Sequence, residues 1–310
     1  SRGLGDVYKR QVLMRLVPGD VCEVKLVGEG FWVDEAELEA CRDELGLNDP
    51  VLSQFARMLI GFATLDFGTS MWTGRRINEA LGARYELTLQ LALMTVTVSV
   101  LIGIPLGILS ALHRNTWIDY IVRVFAMTGA AIPNFWLGIM AILGLLIVSQ
   151  RLFGSPTMTP IVFVSFLDNP LANLSQLLLP AIIAGYSGAA ILTRMTRSAM
   201  LEVMREDYIR TARAKGLRTA VIRRRHALRN AALPVVTLIG LELAGLTGGL
   251  LVTEQLFNLN GVGNLFVEAV DQKDLDLVQV MVLIVVATFA AINLAVDLLY
   301  AWLDPRIRYA

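Results

Sequence analysis

Long uncharged runs of apolar residues alternate with short polar segments along most of this chain. Four such runs occupy residues 87–112, 124–150, 169–193 and 277–296. A fifth lies between Arg229 and Glu254 and is interrupted only by Glu242. Because about 20 consecutive apolar residues form a helix long enough to cross a bilayer, the pattern predicts five membrane-spanning helices.

The composition agrees with a membrane protein. Of the 310 residues, 55% are hydrophobic and 17% are charged, whereas soluble domains carry about 25% charged residues. The net charge is zero, so the distribution of charge along the chain is more informative than its sum.

Basic and acidic residues collect in different loops. Residues 194–229 contain eleven Lys and Arg against three acids, whereas residues 254–276 contain five acids and only Lys273. Cytoplasmic loops accumulate Lys and Arg. We therefore expect the basic loop, the turn near 113–123 and the C-terminus to be cytoplasmic, and the acidic segments to lie outside.

The N-terminal segment departs from the apolar pattern. Residues 12–17 look like the end of a first membrane helix, whereas residues 1–11 are polar and lack the features of a signal peptide. We interpret residues 1–11 as non-native or mis-translated sequence that replaces most of that helix. The alternative is a short polar N-terminus on a five-span protein. The rest divides into an external segment, 18–84, and a transmembrane domain, 85–310, whose cytoplasmic loop covers 194–231.

The external segment is expected to contain short helices. Residues 34–46 have a plausible N-cap in Asp34, with Glu37 at capping-box spacing, and Gly46 suits the C-terminal stop. A second helix is predicted at 51–62, near the membrane surface.

The two cysteines of the chain, Cys22 and Cys41, both lie in this segment. In an oxidising exterior they can form a disulfide. The alternative is a pair of free, partly buried thiols, and the spacing does not decide between them.

The basic loop carries more order than its topology requires. Nucleic acid, anionic lipid and plain cytoplasmic charge are all conceivable reasons for a basic run. However, Ile209, Ala212 and Leu217 recur at roughly helical spacing, and Ala212 and Gly216 place two small residues one turn apart. This arrangement predicts a short helix that another protein approaches closely.

The sequence "DYIRTARAKGL" at 207–217, followed by "RHALRNAALP" at 225–234, resembles the "EAA" loop of bacterial ABC importer permeases of the dipeptide/oligopeptide type. Further segments similar to that family are "RLVPGD" (15–20), "ELGLNDPVLSQF" (44–55), "DFGTS" (66–70), "IGIPLGILSAL" (102–112), "AIPNFWLG" (131–138), "LLPAI" (178–182), "TEQLFNLNGVGNL" (253–265) and "LDPRIR" (303–308). Departures are the Arg210-Thr211 pair in place of Glu-Ala, Asn260 in place of Pro, and Glu242 in place of the commoner Gln.

The resemblance implies an all-α, polytopic membrane helical bundle of the type I ABC importer permease (MetI-like) kind, in the bacterial inner membrane. It implies a second homologous permease subunit, two ATP-binding subunits, an external substrate-binding protein, a peptide substrate and no nucleic acid. ATP and Mg²⁺ are expected on the ATPases, with no cofactor bound by this chain. The residues expected to contact the ATPase are Asp207, Tyr208, Arg210, Ala212, Arg213, Lys215 and Gly216.

Several membrane residues are candidates for the translocation path. Pro133, Asn134 and Trp136 break an apolar run near its middle, although packing explains them equally well. Glu242 is an intramembrane acid, and such groups are costly and usually face a polar interior. It either lines the path or makes a hydrogen bond between helices. Gly103-x-x-x-Gly107 fits a small-residue packing face.

The chain lacks a Gly-x-x-x-x-Gly-Lys-Ser/Thr phosphate loop, so it is not itself the ATPase. His113 and His226 have no acidic or thiol partners at ligand spacing, and no metal site is predicted. The main alternative function is an ion-gradient-driven secondary transporter, which usually shows inverted repeats and paired membrane carboxylates. A membrane enzyme is a weaker third alternative, and the exact substrate is not readable from the sequence.

Overall fold

The computed structural model describes residues 21–28, 34–154 and 163–303. Within these, residues up to 85 together with 264–286 form one compact unit, and residues 86–263 together with 287–303 form another. The described chain is helical and contains no strand, apart from one isolated bridge between Thr69 and Arg76. The predicted remnant of a first helix at 12–17 and residues 1–11, which we interpret as non-native, lie outside the described ranges.

The helices in chain order are α1 (Val21–Gly28), α2 (Glu35–Glu44), α3 (Val51–Thr64), α4 (Ile77–Leu112), α5 (Trp117–Ala131), α6 (Asn134–Phe153), α7 (Pro170–Val203), α8 (Asp207–Ala214), α9 (Thr219–Val221), a π-helical turn (Ile222–Ala227), α10 (Leu228–Gly249), α11 (Leu251–Leu256), α12 (Val262–Asp271) and α13 (Leu275–Leu303). Among the described residues, five helices are long and apolar enough to cross a membrane. These are Ile77–Leu112, Asn134–Leu152, Pro170–Val203, Leu228–Leu246 and Leu275–Leu299.

The first unit begins with the predicted short helices. The Asp34 side chain accepts a hydrogen bond from the Ala36 backbone N–H at the start of α2, and Gly46 follows the helix with a positive φ of 65°. Cys22 of α1 and Cys41 of α2, which the sequence leaves bonded or free, form a disulfide.

A turn between α3 and α4 is fixed by a buried acid in the same unit. Asp274, immediately before α13, accepts a hydrogen bond from the Ser70 hydroxyl and two more from the backbone N–H groups of Met71 and Trp72. It also accepts from the Leu277 N–H and thereby caps α13. Full burial of Asp274 is tolerated because its oxygens have these donors.

The apolar run 124–150 is not one membrane helix, contrary to the five-run prediction. Helix α5 ends at Ala131, Ile132 is extended (φ −86°, ψ 125°), and α6 starts after Pro133. The proline ring disfavours helical geometry at the residue before it. The span predicted for this run is therefore α6 alone. Helix α5 is a separate helix of 15 residues.

Helices α4 and α7 of the second unit pack closely through small residues. A Cβ added at Gly103 would lie 2.8 Å from the Ala189 carbonyl oxygen, and one added at Gly107 would lie 2.7 Å from that of Thr193. The Gly103-x-x-x-Gly107 packing face predicted from the sequence is confirmed. Small residues of this kind allow helix backbones to approach in a membrane.

Candidate functional site

The short helix α8 lies at the centre of the basic loop and is attached to the second unit by two side chains. Ile209 is fully buried and Ala212 is 8% exposed. Both belong to an apolar cluster with Met200 of α7, Ile222 of the π-helical turn and Ala231 of α10. The helix is therefore seated on the ends of two membrane helices.

The other face of α8 is exposed and strongly polar. Asp207, Tyr208, Arg210, Arg213 and Lys215 all lie on this surface, which we call the α8 face. Arg210 forms an ion pair with Asp207 at 3.4 Å, but both side chains are mostly exposed, so the pair adds little stability. Tyr208 accepts a hydrogen bond from the side-chain amide of Asn230 in α10 at 2.6 Å. The charges are thus presented to solvent on a fixed helix.

The spacing of Ala212 and Gly216 has a different basis from the one expected. Ala212 packs inside the chain rather than offering a small surface to a partner. Gly216 lies beyond the end of α8 with φ 75°. Its N–H binds the Arg213 carbonyl, and the Leu217 N–H binds that of Ala212. This is the Schellman pattern, in which a left-handed residue, usually Gly, ends a helix. Thus Ala212 seats α8 and Gly216 terminates it.

A concave, charged surface adjoins the N-terminal end of α8. It is lined by Arg197, Ser198, Leu201, Glu202, Arg205, Glu206 and Asp207. Because it joins the end of α7 to the α8 face, the surface available to a partner is larger than the predicted helix.

A buried ion pair lies at the same end of the bundle and was not anticipated from the sequence. Asp119 of α5 is fully buried and receives two hydrogen bonds from Arg197 of α7, each 2.9 Å long. The Ser110 hydroxyl of α4 and the Asn115 N–H also donate to it. The hydrogen bond from Arg197 holds the pKa of Asp119 well below its usual range, and Ser110 and Asn115 add to this against the opposing effect of burial.

This cluster ties three helices together beside the basic loop. The sequence shows Asp119 and Arg197 only as charges 78 positions apart, in two segments that are expected to be cytoplasmic. The sequence signal for this ion pair was the presence of a charged residue, Asp119 or Arg197, beside an apolar segment. Which charge pairs with which depends on how the helices pack.

The candidate path residues fall into two groups. Asn134 donates to Ser187 Oγ of α7 at 3.3 Å, and the Glu242 carboxylate lies against the neighbouring Gly188, where an added Cβ would be 1.8 Å from Glu242 Oε1. Asn134 and Glu242 are thus brought to adjacent positions of α7. By contrast, Pro133 caps α6, and the Trp136 side chain is 47% exposed.

The structure shows the hydrogen bond between helices that was one of the two interpretations of Glu242. Ser99 of α4 donates to Glu242 Oε1 at 2.6 Å and also contacts the Gly185 carbonyl oxygen at 2.9 Å. Glu242 of α10 therefore connects α4 and α7. The Asn134 Oδ1 atom is buried and has no hydrogen-bond partner within the described ranges. We call Asn134, Ser187 and Glu242, which lie at or against positions 187 and 188 of α7, the polar junction.

Glu254 is a second important acid that sequence reasoning missed, because it was counted only among the charges of an external loop. It is fully buried and accepts a hydrogen bond from Thr88 Oγ1 at 2.6 Å. The same hydroxyl accepts from the Val262 N–H at 2.8 Å. A Cβ at Gly261 would come within 2.4 Å of the Glu254 carboxylate. Glu254 thereby holds the turn before α12 against α4.

Within the described residues, no three His, Cys, Asp or Glu side chains are grouped so that they could hold a metal ion. In the second unit, the features that could act on another molecule are the α8 face with its adjoining groove and the buried polar contacts of Asn134 and Glu242.

The chain is similar to known transport proteins over nearly its whole length. Residues 103–309 match the family described as binding-protein-dependent transport system inner membrane component. A putative peptide transport system permease protein of Brucella abortus is 39% identical over 298 residues, which cover 96% of this chain and 92% of the relative. An oligopeptide transport system permease protein of Bacillus subtilis is 38% identical over 307 residues, which cover 99% and 95%.

A dipeptide transport system permease protein of Alkalihalophilus pseudofirmus is 36% identical over 314 residues, covering 96% of this chain and 92% of the relative. Among solved structures, an inward-facing conformation of the MetNI methionine ABC transporter matches with a TM-score of 0.55 at 17% identity. The match covers 73% of this chain and 96% of that chain. The structural likeness concerns the fold.

Proposed function

This chain belongs to the family of binding-protein-dependent transport system inner membrane components, and we propose that it is the permease subunit through which an ATP-driven importer passes di- or oligopeptides. Within the described part of the chain, five apolar helices are long enough to cross the membrane. The peptide substrate is inferred from relatives whose names specify peptides, dipeptides or oligopeptides.

The observation that supports a coupling role is the way in which α8 packs against the membrane helices. Ile209 and Ala212 fix the helix to the ends of α7 and α10, while Arg210 and Arg213 are exposed. Tyr208 is partly exposed and also bonds to Asn230 of α10. A push on the α8 face would therefore be transmitted to two membrane helices. We assign the contact with an ATP-binding subunit to Asp207, Tyr208, Arg210, Arg213 and Lys215, with Ala212 and Gly216 as the residues that seat and end the helix.

The remaining partners follow from the family. We infer a second homologous permease subunit, two ATP-binding subunits that carry ATP and Mg²⁺, and an external binding protein that delivers the peptide. In this arrangement the chain is a transport subunit without enzymatic activity, and its C-terminus is cytoplasmic.

For the translocation path, the polar junction formed by Asn134, Ser187 and Glu242 is the best-supported candidate. It is polar within otherwise apolar helices, and the buried side-chain oxygen of Asn134 has no hydrogen-bond partner among the described residues. A rearrangement that exposes this oxygen would offer an acceptor to a peptide N–H. Trp136 has no described contact with this junction and is a weaker candidate.

The test is transport by the reconstituted complex of this chain with its partner subunits in proteoliposomes. ATP should drive uptake of a labelled dipeptide delivered by the binding protein. The variant Arg213→Glu should reduce uptake and peptide-stimulated ATP hydrolysis about tenfold, equivalent to ~1.4 kcal/mol. The control Arg114→Glu changes an exposed charge in a different loop and should transport normally.

The gradient-driven alternative makes the opposite prediction. Uptake would then persist without ATP and would stop when an ionophore collapses the ion gradient. Membership in the family favours the ATP-driven importer. Normal ATP-driven uptake by Arg213→Glu would instead remove α8 from the coupling role while leaving the importer assignment intact.

A further inference from the structure

A groove in the first unit is lined by one side of α3, by the beginning of α13 and by two turns, which contribute Leu45, Gly46, Asp66, Phe67, Gly68 and Met71. Helix α3 contributes residues spaced three or four apart, and so does the beginning of α13, as expected for single helical faces. The lining residues from these two helices are Gln54, Arg57, Met58, Gly61, Phe62, Asp276, Gln279, Val280 and Leu283.

One end of the groove carries charges of both signs. Asp276 is half-buried, and no described residue donates a hydrogen bond to it. The neighbouring Asp274 carboxylate repels its negative charge, and Arg57 attracts it. Arg57 forms an ion pair with Asp49, but a guanidinium has five N–H donors. This end therefore offers an acceptor and a donor to a molecule that contains both a cation and an anion.

The other end of the groove is apolar and extends along a membrane helix. Asp276 directly precedes the uncharged run 277–296, and Leu283 lies seven residues further along α13, about 10 Å deeper at 1.5 Å per residue. Met58 and Phe62 of α3 also line the groove. From the place of Asp276 and Leu283 in the apolar run, we infer that the groove extends from the end of this span toward the hydrocarbon layer.

The side of α3 that faces away from the groove is exposed and apolar. Leu52, Leu59 and Ile60 are 73%, 38% and 63% exposed. They form an apolar stripe on the side of α3 that faces away from the groove. Apolar side chains exposed along one side of a helix are suited to contact with lipid, and α3 would then separate the groove from the surrounding lipid on that side.

We propose that this groove binds one phospholipid whose headgroup carries an ammonium group, of the phosphatidylethanolamine type. The ammonium group lies at Asp276, the phosphate lies at Arg57, and an acyl chain follows Met58, Phe62 and Leu283. A peptide is also zwitterionic, but a peptide does not require the apolar half of the groove to lie at membrane depth. The site is independent of the proposed transport substrate.

The test is native mass spectrometry of the full complex released from nanodiscs that contain equal amounts of phosphatidylethanolamine and phosphatidylglycerol. The wild-type complex should retain one phosphatidylethanolamine. Asp276→Asn should retain it at about tenfold lower occupancy. The control Asp271→Asn changes an exposed acid nearby that does not line the groove, and should behave as the wild type.

A second variant separates lipid loss from misfolding. Leu283→Trp fills the apolar end without changing either charge, and it should also lose the lipid while the Cys22–Cys41 disulfide and the melting temperature are retained. Equal retention by Asp276→Asn, or retention of phosphatidylglycerol instead, overturns the proposal. Displacement of the lipid by a dipeptide would assign the groove to peptide. These readouts need no ATP-driven uptake, so failure here leaves the proposed function untouched.

Discussion

Asp119 is a charged residue whose burial depends on its ion pair with Arg197. It is fully buried, and Arg197, whose side chain is 21% exposed, supplies both of its shortest charged contacts. A buried ion pair is not necessarily stabilising relative to apolar residues, but removing one partner is costly because the other charge stays buried.

We predict that Asp119→Ala lowers the free energy of unfolding by roughly 3 kcal/mol, because Arg197 loses its carboxylate. Thermal unfolding of the purified protein in detergent should show a clear drop in Tm. The control Glu202→Ala removes an exposed acid of the same region and should leave Tm nearly unchanged. Equal Tm values for the two variants would contradict this account.

The pH dependence of the same residue follows from its lowered pKa. A carboxyl whose pKa is depressed in the folded state stabilises the protein above its unfolded pKa, about 3.9, and that stabilisation is lost as pH falls through the folded pKa. Acidification from pH 7 to 4 should therefore leave this contribution intact, and further acidification should weaken it in the wild type but not in Asp119→Ala.

The short helix α8 depends on its attachment to the rest of the second unit for its stability. A helix of eight residues is too short to be stable alone in water, so its order depends on Ile209 and Ala212. The Schellman turn at Gly216 then fixes where the helix ends.

We predict that Ala212→Glu destabilises the protein by roughly 2 kcal/mol, because it places a carboxylate among Met200, Ile209 and Ile222. Ala214→Glu makes the same chemical change on the exposed side of α8 and should leave Tm unaffected. Hydrogen exchange of residues 207–217 should rise only in Ala212→Glu. If both variants were equally stable, Ala212 would not be the residue that seats α8.

At the scale of the whole molecule, the distribution of charge predicts how the chain is oriented across the membrane. The basic loop and the turn near Arg114 should face the cytoplasm, whereas the acidic segment around Asp271 should face outward. Membrane proteins are oriented by this bias in Lys and Arg near the ends of their spans.

We predict that an impermeant maleimide labels Asp271→Cys in intact spheroplasts and labels Arg114→Cys only after the membrane is opened. Both positions are exposed, so protein burial does not protect either thiol. The native cysteines form a disulfide and do not react. Labelling of Arg114→Cys in sealed spheroplasts would contradict the predicted topology and indicate the opposite orientation.

Much of the architecture was determined by the sequence alone. Hydrophobic runs marked the five spans, the cap residues Asp34 and Gly46 marked α2, and Gly103 and Gly107 marked a packing face. These features depend on local backbone preference and on the exclusion of charge from the bilayer, which act residue by residue. The division of run 124–150 at Pro133 also had a local signal, but the hydrophobic count concealed it.

The tertiary structure alone decided which polar residues meet. Asp119 with Arg197, Glu242 with Ser99, and Glu254 with Thr88 are each far apart in sequence, since helix packing determines their distances. It also reversed the expected exposure of Ala212, because burial depends on which side of a short helix faces the bundle. Sequence pattern records the period of such a face, whereas only the packed helices determine what covers it.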